Sequence, residues 1–130
     1  MANTQSMCTS FLGELLSATH NFSSANPAHT ANTADTFKAA LYLASATVNA
    51  STTAYSATGE VTGTNYTAGG VSITNGTNPS STNSSSTAGV GYWTPSASIT
   101  YTNVTLSTAF DAMLMYNSTQ SNKEIGRAHV

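Results

Sequence analysis

The sequence predicts an all-β protein: an antiparallel β-sandwich of jelly-roll type with one N-terminal α-helix. Three observations lead to this prediction. Apolar side chains alternate with a period of two in several short segments, glycines separate those segments, and apolar spacing of the helical type is confined to the first 20 residues. Because a chain of 130 residues is the size of one domain, we expect a single β-sandwich domain over residues 1–124.

Neutral polar residues dominate the composition. The chain has 23 Thr, 19 Ser and 12 Asn, and only 6% of its residues are charged, against about 25% in an average domain. The hydrophobic share of 39% argues against disorder. A net charge of −2 with three basic residues gives no electrostatic footprint for nucleic acid. No secretory signal and no apolar run long enough for a membrane span is present, so we expect no membrane partner.

Residues 7–20 are predicted to form the α-helix. Its apolar side chains recur four positions apart, as on one helix face, and they are Phe11, Leu12, Leu15 and Leu16. His20 is expected to cap the C-terminal end, where an imidazole is favourable. The one cysteine, Cys8, excludes an internal disulfide and is expected to be a small buried side chain on this helix.

Four later segments show strand patterns. Residues 36–43 alternate, which predicts a half-buried strand. Residues 53–74 combine β-branched and aromatic residues with four glycines, which predicts two short strands with a turn or bulge at each glycine. Residues 98–108 alternate imperfectly, as at an edge strand or bulge, whereas residues 110–116 are apolar on both faces, as in a central strand. One shared core is expected for Phe37, Leu41, Leu43, Leu114 and Tyr116.

Two segments have the composition of loops. Residues 75–91 are dominated by Ser, Thr, Asn and Gly and are predicted to be a flexible surface loop. Residues 117–122 are predicted to be a hairpin loop, after which Lys123 should begin a returning strand. Trp93 follows the long loop, and we interpret it as a core residue, with an exposed contact as the alternative.

The last six residues, 125–130, read IGRAHV. One reading of their codons is ATC GGA AGA GCA CAC GTC, and these bases belong to a widely used sequencing-library adapter. The segment also lacks a strand period. We therefore interpret residues 125–130 as adapter read-through, with the natural chain continuing beyond residue 124 in further strands. The sheet is expected to be truncated at its C-terminal end, and the six residues to pack poorly or to reach into solvent.

Four ordered blocks of sequence carry a family resemblance. The longest is Tyr55-x-x-x-Gly59-Glu60-Val61-x-Gly63-Thr64-x-Tyr66-x-Ala68-Gly69-Gly70-Val71. The others are Cys8-Thr9-Ser10-Phe11 with Glu14-Leu15-Leu16 and His20-Asn21-Phe22, Asp35-Thr36-Phe37-Lys38 with Ala40-Leu41-Tyr42, and Met115-Tyr116-Asn117 with Ser121-Asn122-Lys123. Together they resemble a mostly uncharacterised family of small virion structural proteins of tailed bacteriophages. The resemblance spans residues 7–123 except about 77–98, and it implies no catalytic residues.

The sequence lacks the patterns of catalytic and metal sites. One Cys and two His outside the tail are too few for a zinc site of about four ligands. The acidic residues are scattered, and each is expected to be a cap or a solvated loop residue: Glu14, Asp35, Glu60 and Asp111. There is neither a phosphate-binding Gly-Lys-Ser/Thr nor a nucleophile elbow. We therefore expect no enzyme, no cofactor and no metal.

Two classes of function remain. The resemblance implies a virion protein, assembled in the bacterial host cytoplasm, that contacts other virion proteins and copies of itself in the capsid, neck or tail. The alternative is a carbohydrate- or surface-binding β-module of the adhesin or receptor-binding type, in which Thr-rich strands and aromatic rings contact a glycan. The candidate contact surface consists of Tyr42, Tyr66, Tyr92 and Trp93.

Overall fold

The structure of the protein is a computed structural model that describes residues 6–16, 19–22, 34–74, 80–82 and 91–129. The elements in chain order are β1 (Ser6–Met7), α1 (Thr9–Leu16), β2 (Phe37–Tyr42), β3 (Gly63–Thr64), β4 (Val71–Ile73), β5 (Ser80–Ser81), β6 (Gly91–Tyr92), β7 (Thr105–Leu106), β8 (Ala112–Asn117) and β9 (Lys123–His129). The strands pair antiparallel throughout the described residues, and the one helix is short. The predicted all-β class is confirmed.

A five-stranded sheet organises the molecule. Its strand order is β1-β9-β8-β2-β4, and two small sheets, β3–β7 and β5–β6, accompany it. Buried side chains cover both of its faces. One face, called here the helix face, is formed by Phe37, Ala39, Ile73 and Ile125 with Cys8 and Phe11. The other, called the loop face, is formed by Ala40, Tyr42, Val48, Leu114 and Tyr116. The arrangement is therefore sandwich-like.

The interior strand β2 confirms one expectation and corrects two. Its side chains alternate as predicted, but those of both faces are buried, so the strand is not half-buried. The single shared core is also wrong. The register sets Leu114 opposite Ala40 and Tyr116 opposite Lys38, and directly opposite residues point to the same face. Leu114 and Tyr116 therefore lie on the loop face, whereas Phe37 lies on the helix face.

The helix α1 is shorter than the predicted range of 7–20. It covers Thr9–Leu16, and residues 17–18 lie outside the described part of the chain. A hydrogen bond from the Thr19 amide to the Glu14 carbonyl, at 2.9 Å, is of the kind that closes a helix C-terminus. Cys8 is buried as predicted, but it lies between β1 and α1 rather than in the helix.

The structure describes the side chains of three apolar residues of the predicted helix stripe, and one of the three is buried. Phe11 is 6% exposed, whereas Leu12 is 53% and Leu15 is 45% exposed. Part of the apolar surface of the helix therefore faces outward.

The glycine-rich segment forms two short strands, β3 and β4, as predicted. Gly59, Gly69 and Gly70 have positive φ angles and make the expected turns. Gly63 does not: it lies in β3, where a Cβ atom would collide with the backbone of Thr105 in β7. The two strands also pair with β7 and β2 rather than with each other.

The hairpin of β8 and β9 confirms the predicted loop and the central position of β8. Lys123 begins β9, and its amide donates to the Gln120 carbonyl at 3.1 Å. Ser121 and Asn122 between them have φ angles of 55° and 59°. Positive φ at both central residues is the pattern of a type I′ turn, whose twist matches that of a hairpin.

The expectation that residues 125–130 lie outside the sheet is wrong. Residues 125–129 belong to β9, which pairs with β8 and with β1, and Ile125 is 6% exposed. The physical reason is that β8 needs partners for the backbone groups of its outer edge, and any extended segment supplies them. The adapter origin of these residues concerns their DNA and stays a prediction.

The long polar loop is described only in part. Ser80–Ser81 pairs with Gly91–Tyr92, so short strands occur where a flexible loop was predicted. The rest of that prediction falls on residues 75–79 and 83–90, which lie outside the described part of the chain. Within residues 98–108, strand structure is limited to Thr105–Leu106, in line with the imperfect alternation. Among the described helical residues, no helix has the length and apolarity to cross a membrane.

The two-sided core predicts a contrast between two Leu→Ala substitutions. Leu114 is 1% exposed on the loop face, and Leu114→Ala should lower the free energy of unfolding by about 2–5 kcal/mol. Leu12→Ala, at an exposed position, should change it by no more than about 0.5 kcal/mol. Denaturant unfolding measures both, and equal effects would show that the strand register is misplaced.

Candidate functional site

The predicted contact surface is only partly on the surface. Tyr92 is 47% exposed, but Tyr42 is 1% exposed, so Tyr42 cannot contribute a ring to an outer contact. Trp93 is partly buried, its ring centroid 5.6 Å from that of Phe37, and its Nε1–H donates to the Phe22 carbonyl at 3.1 Å. The interpretation of Trp93 as a core residue is thus confirmed.

The four predicted residues also do not form one cluster. Tyr66 lies near the end of β2, where its hydroxyl accepts a hydrogen bond from the Leu41 amide at 2.9 Å. Trp93 packs against Phe37 at the start of the same strand, about 13 Å away at the usual rise per residue. Tyr66 and the Tyr92–Trp93 pair are therefore separate features.

Glu60 is the centre of a polar cluster that the sequence interpretation missed. It is 9% exposed, where a cap or a solvated loop residue was expected. Its carboxylate accepts hydrogen bonds from the hydroxyls of Tyr55 and Tyr66, each at 2.7 Å, and from the Gly69 amide at 2.8 Å. An isolated bridge to Tyr42 places Glu60 beside the end of β2. The carboxylate fixes three separate parts of the glycine-rich segment.

Buried and partly buried tyrosines surround this carboxylate and complete the network. Tyr116 donates to the Gly69 carbonyl at 2.8 Å, and Tyr101 donates to the Ala39 carbonyl at 2.7 Å. Burial, and then the negative charge of Glu60, raises the pKa of Tyr101 and Tyr116 above the ordinary tyrosine value. The pKa values of Tyr55 and Tyr66 are raised as well, by burial first. These hydroxyls stay protonated and act as structural donors.

A second polar cluster ties the N-terminal segment to the β8–β9 hairpin. Asn117, which is fully buried, donates through Nδ2 to Asp35 Oδ2 at 2.7 Å and to His20 Nδ1 at 2.9 Å. His20 Nε2 lies 2.8 Å from Glu14 Oε2, and Lys123 Nζ pairs with Glu14 Oε1. His20 is therefore not a helix cap, because the helix ends before it and its ring reaches into the sheet.

The geometry assigns the protonation of this cluster. The Asn117 oxygen accepts from the amides of Thr119 and Gln120, so its NH₂ group faces His20 and Asp35. His20 Nδ1 is then an acceptor, and Nε2–H donates to Glu14. With both ring nitrogens occupied, His20 has no position left to activate a nucleophile, and its role here is structural.

Glu14 is held in its charged form by its partners. Burial alone would raise its pKa, but the hydrogen bonds from Lys123 and His20 outweigh burial and hold the pKa of Glu14 below its ordinary value. The cluster thus links α1, β9 and the His20 segment through one carboxylate.

Glu124 contrasts with the other two glutamates. Its side chain is fully buried, and neither carboxyl oxygen makes a hydrogen bond. Cys8, Arg127 and Thr52 are polar neighbours that lower its pKa, but burial dominates and the pKa of Glu124 is raised. Burial, and then the nearby Glu124, also raises the pKa of the Cys8 thiol to about 12. Cys8 is therefore an unreactive thiol at neutral pH.

Two cavities differ sharply in their chemistry. One, the hydroxyl cavity, encloses about 360 Å³ on the loop face and is bordered by the side chains of Ser45, Thr47, Thr52, Ser56 and Thr58 over Tyr42 and Leu114. The other, the apolar groove, encloses about 400 Å³ between Leu41, Ile99, Val104, Leu106, Phe110 and Met113, with Tyr101 as its polar residue. Both volumes lie at the lower end of the range for small-molecule sites, roughly 300–1,000 Å³.

Metal-site geometry and comparison with known proteins give no indication of a function. Among the residues that the structure describes, no three His, Cys, Asp or Glu side chains converge as a metal site. Comparison of the chain with family models, with curated proteins and with solved structures finds no match. The function is therefore inferred from the sequence resemblance and from surface chemistry.

The same substitution, Glu→Met, should have opposite effects on the free energy of unfolding at the two buried glutamates, Glu60 and Glu124. Glu60→Met leaves one buried and two partly buried donors without their acceptor and should lower the free energy of unfolding by about 2–4 kcal/mol. Glu124→Met removes a buried carboxyl group without hydrogen bonds and should leave that free energy unchanged or raise it at pH 8.

The pH dependence separates the roles further. The pKa of Glu124 is raised in the folded protein, so its protonated carboxyl group contributes stability that is fully present below the unfolded pKa of about 4.3. This contribution is lost as pH rises through the folded pKa. Glu124→Met should flatten that decline in denaturation midpoints measured between pH 4 and pH 8, whereas an unchanged decline would contradict the assignment.

Glu14 predicts the opposite slope. Its lowered pKa contributes stability that is present above about pH 4.3 and is lost as pH falls through the folded value. Glu14→Gln should therefore reduce the loss of stability on the acid side, and Lys123→Met should reduce it too by removing the ion partner. An acid slope identical to that of the wild type in both variants would exclude this pairing.

Proposed function

We propose that this chain is a virion structural protein of a tailed bacteriophage that acts in assembly, through protein–protein contacts in the capsid, neck or tail. The sequence resemblance supports the proposal, and its blocks coincide with structural centres. They include β2, the Glu60 cluster, and the β8–β9 turn with Asn117. The residues that resemble the phage family are thus those on which the sheet depends.

The observation that carries the proposal is an apolar surface at the N-terminal segment. Met7, Leu12 and Leu15 are 57%, 53% and 45% exposed. Leu12 and Leu15 are three positions apart on α1 and so share one helix face. Contiguous exposed apolar patches mark protein contact surfaces, and Leu12 and Leu15 place two large apolar side chains next to each other. Partners of this surface are other virion proteins or copies of the chain.

The distribution of charge supports dense packing against such partners. All eight charged residues lie in the described part of the chain, and none belongs to the exposed class: three are buried and five are partly buried. Copies with so few exposed charges approach one another without electrostatic repulsion.

A carbohydrate-binding module is the second candidate. The hydroxyl cavity favours it, because hydroxyl groups around an apolar floor match the chemistry of a sugar. The two functions do not exclude each other, since a protein on the outside of a particle can also bind a glycan.

The assembly role predicts that purified virions contain this protein and that its isolated form self-associates or binds a virion protein. Leu12→Ser with Leu15→Ser should weaken that association in sedimentation velocity, because it removes exposed apolar area. Thr62→Ser with Thr64→Ser, at exposed positions away from α1, is the matched control. Absence of the protein from virions by mass spectrometry would refute the assembly role.

A further inference from the structure

We propose that the hydroxyl cavity is a binding site for a neutral sugar, with room for about one hexose. The cavity forms where the segment after β2, residues 43–59, folds back over the loop face of the sheet. Hydrogen bonds hold this segment: the Leu43 amide donates to the Gly59 carbonyl at 3.0 Å, and the Tyr42 hydroxyl donates to the Ser56 carbonyl at 2.5 Å. The walls are therefore fixed before any ligand arrives, which reduces the entropic cost of binding.

The hydroxyl groups of the rim have hydrogen-bonding capacity to spare. The hydroxyls of Ser45, Thr47 and Thr58 make no hydrogen bond within the described part of the chain. Thr52 Oγ1 accepts from the Asn49 amide at 3.0 Å, and Ser56 Oγ accepts from the Thr58 amide at 3.2 Å. The Ser56 hydroxyl keeps its own proton to donate, whereas the Thr52 hydroxyl lies beside Glu124 and lowers the pKa of that carboxyl group. The rim thus offers several donors and acceptors to the hydroxyl groups of a ligand.

The floor and the charge of the cavity narrow the class of ligand. Its floor contains Tyr42, Val48 and Leu114, which suit the C–H face of a pyranose ring. No charged residue lines the cavity, so a charged ligand would lose its hydration without gaining an ion partner. A neutral polyhydroxy molecule fits both the rim and the floor.

The hydroxyl lining is not a simple result of the Ser- and Thr-rich composition. The apolar groove is of similar volume and belongs to the same chain, yet no Ser or Thr lines it. Its one hydroxyl group, that of Tyr101, already donates to the Ala39 carbonyl. The sequence therefore concentrates free hydroxyls at one cavity.

The inference rests on the second candidate function, to which it adds a site and a ligand class, and it does not depend on the assembly role. A chain found in virions that binds no sugar would leave the assembly role standing, and a chain that binds sugar but is absent from virions would do the reverse. Sugar binding is measured on the isolated chain and assembly on particles, so the two failures are distinguishable.

The test is titration of the ¹⁵N-labelled chain with the neutral methyl glycosides of glucose, galactose and mannose, and with glucuronate as the charged comparison. At least one neutral glycoside should shift the amide signals of residues 45–59 in a saturable manner, and glucuronate should bind more weakly. Thr47→Val with Thr58→Val removes two hydroxyls at nearly constant volume. It should weaken binding about thirtyfold, because two hydrogen bonds are lost and each contributes about 1 kcal/mol.

The control variant is Thr62→Val with Thr64→Val, exposed threonines that do not line the cavity. It should bind the glycoside like the wild type, and both variants should unfold at wild-type denaturant concentrations. The proposal is overturned if no neutral glycoside shifts residues 45–59, if the shifts centre on Tyr66 or Tyr92 instead, or if the Thr47 and Thr58 variant binds with undiminished affinity.

Discussion

The structure depends on the pairing of β2 with β8. These strands pair over their full lengths, and they bring apolar side chains to both faces of the sheet at once. Everything else is arranged around this ribbon. The helix face receives α1 and the aromatic residues near Phe37, and the loop face receives the segment after β2. A chain with so many hydroxyl groups can build a core because its large apolar residues are concentrated in two strands that lie side by side.

Most acidic side chains of this protein are buried. Asp35, Glu60 and Glu124 are buried, and they are three of its five acidic residues. Glu60 and Asp35 accept hydrogen bonds that hold irregular segments on the sheet. The short strands need such bonds because isolated pairs of short strands are only marginally stable. Glu124 has no such compensation. A carboxyl group in that position is a cost to the fold.

Much of the sheet follows from local rules, whereas the candidate site does not. The alternation of apolar side chains predicts β2 and β8, and the ability of glycine to adopt positive φ predicts the turns at Gly59 and Gly69. Both signals depend on residues that are close in sequence. The pairing of β3 with β7 and the burial of Glu60 depend on residues distant in sequence, and composition does not encode them locally. A lone carboxylate between Tyr55 and Tyr66 was the available signal for the cluster. The burial of Tyr42 could not be predicted from the sequence, because tyrosine occurs both in cores and on surfaces.

The internal use of charge has a consequence for recognition. Salt weakens attraction between exposed ions, and over a Debye length of about 8 Å in physiological solution it removes most of it. A molecule whose ionic groups are all at least partly sheltered has little for salt to screen. If the chain assembles as proposed, its contacts rest on the fit of apolar and hydroxyl-bearing surfaces, and raising the salt concentration should not release its partners.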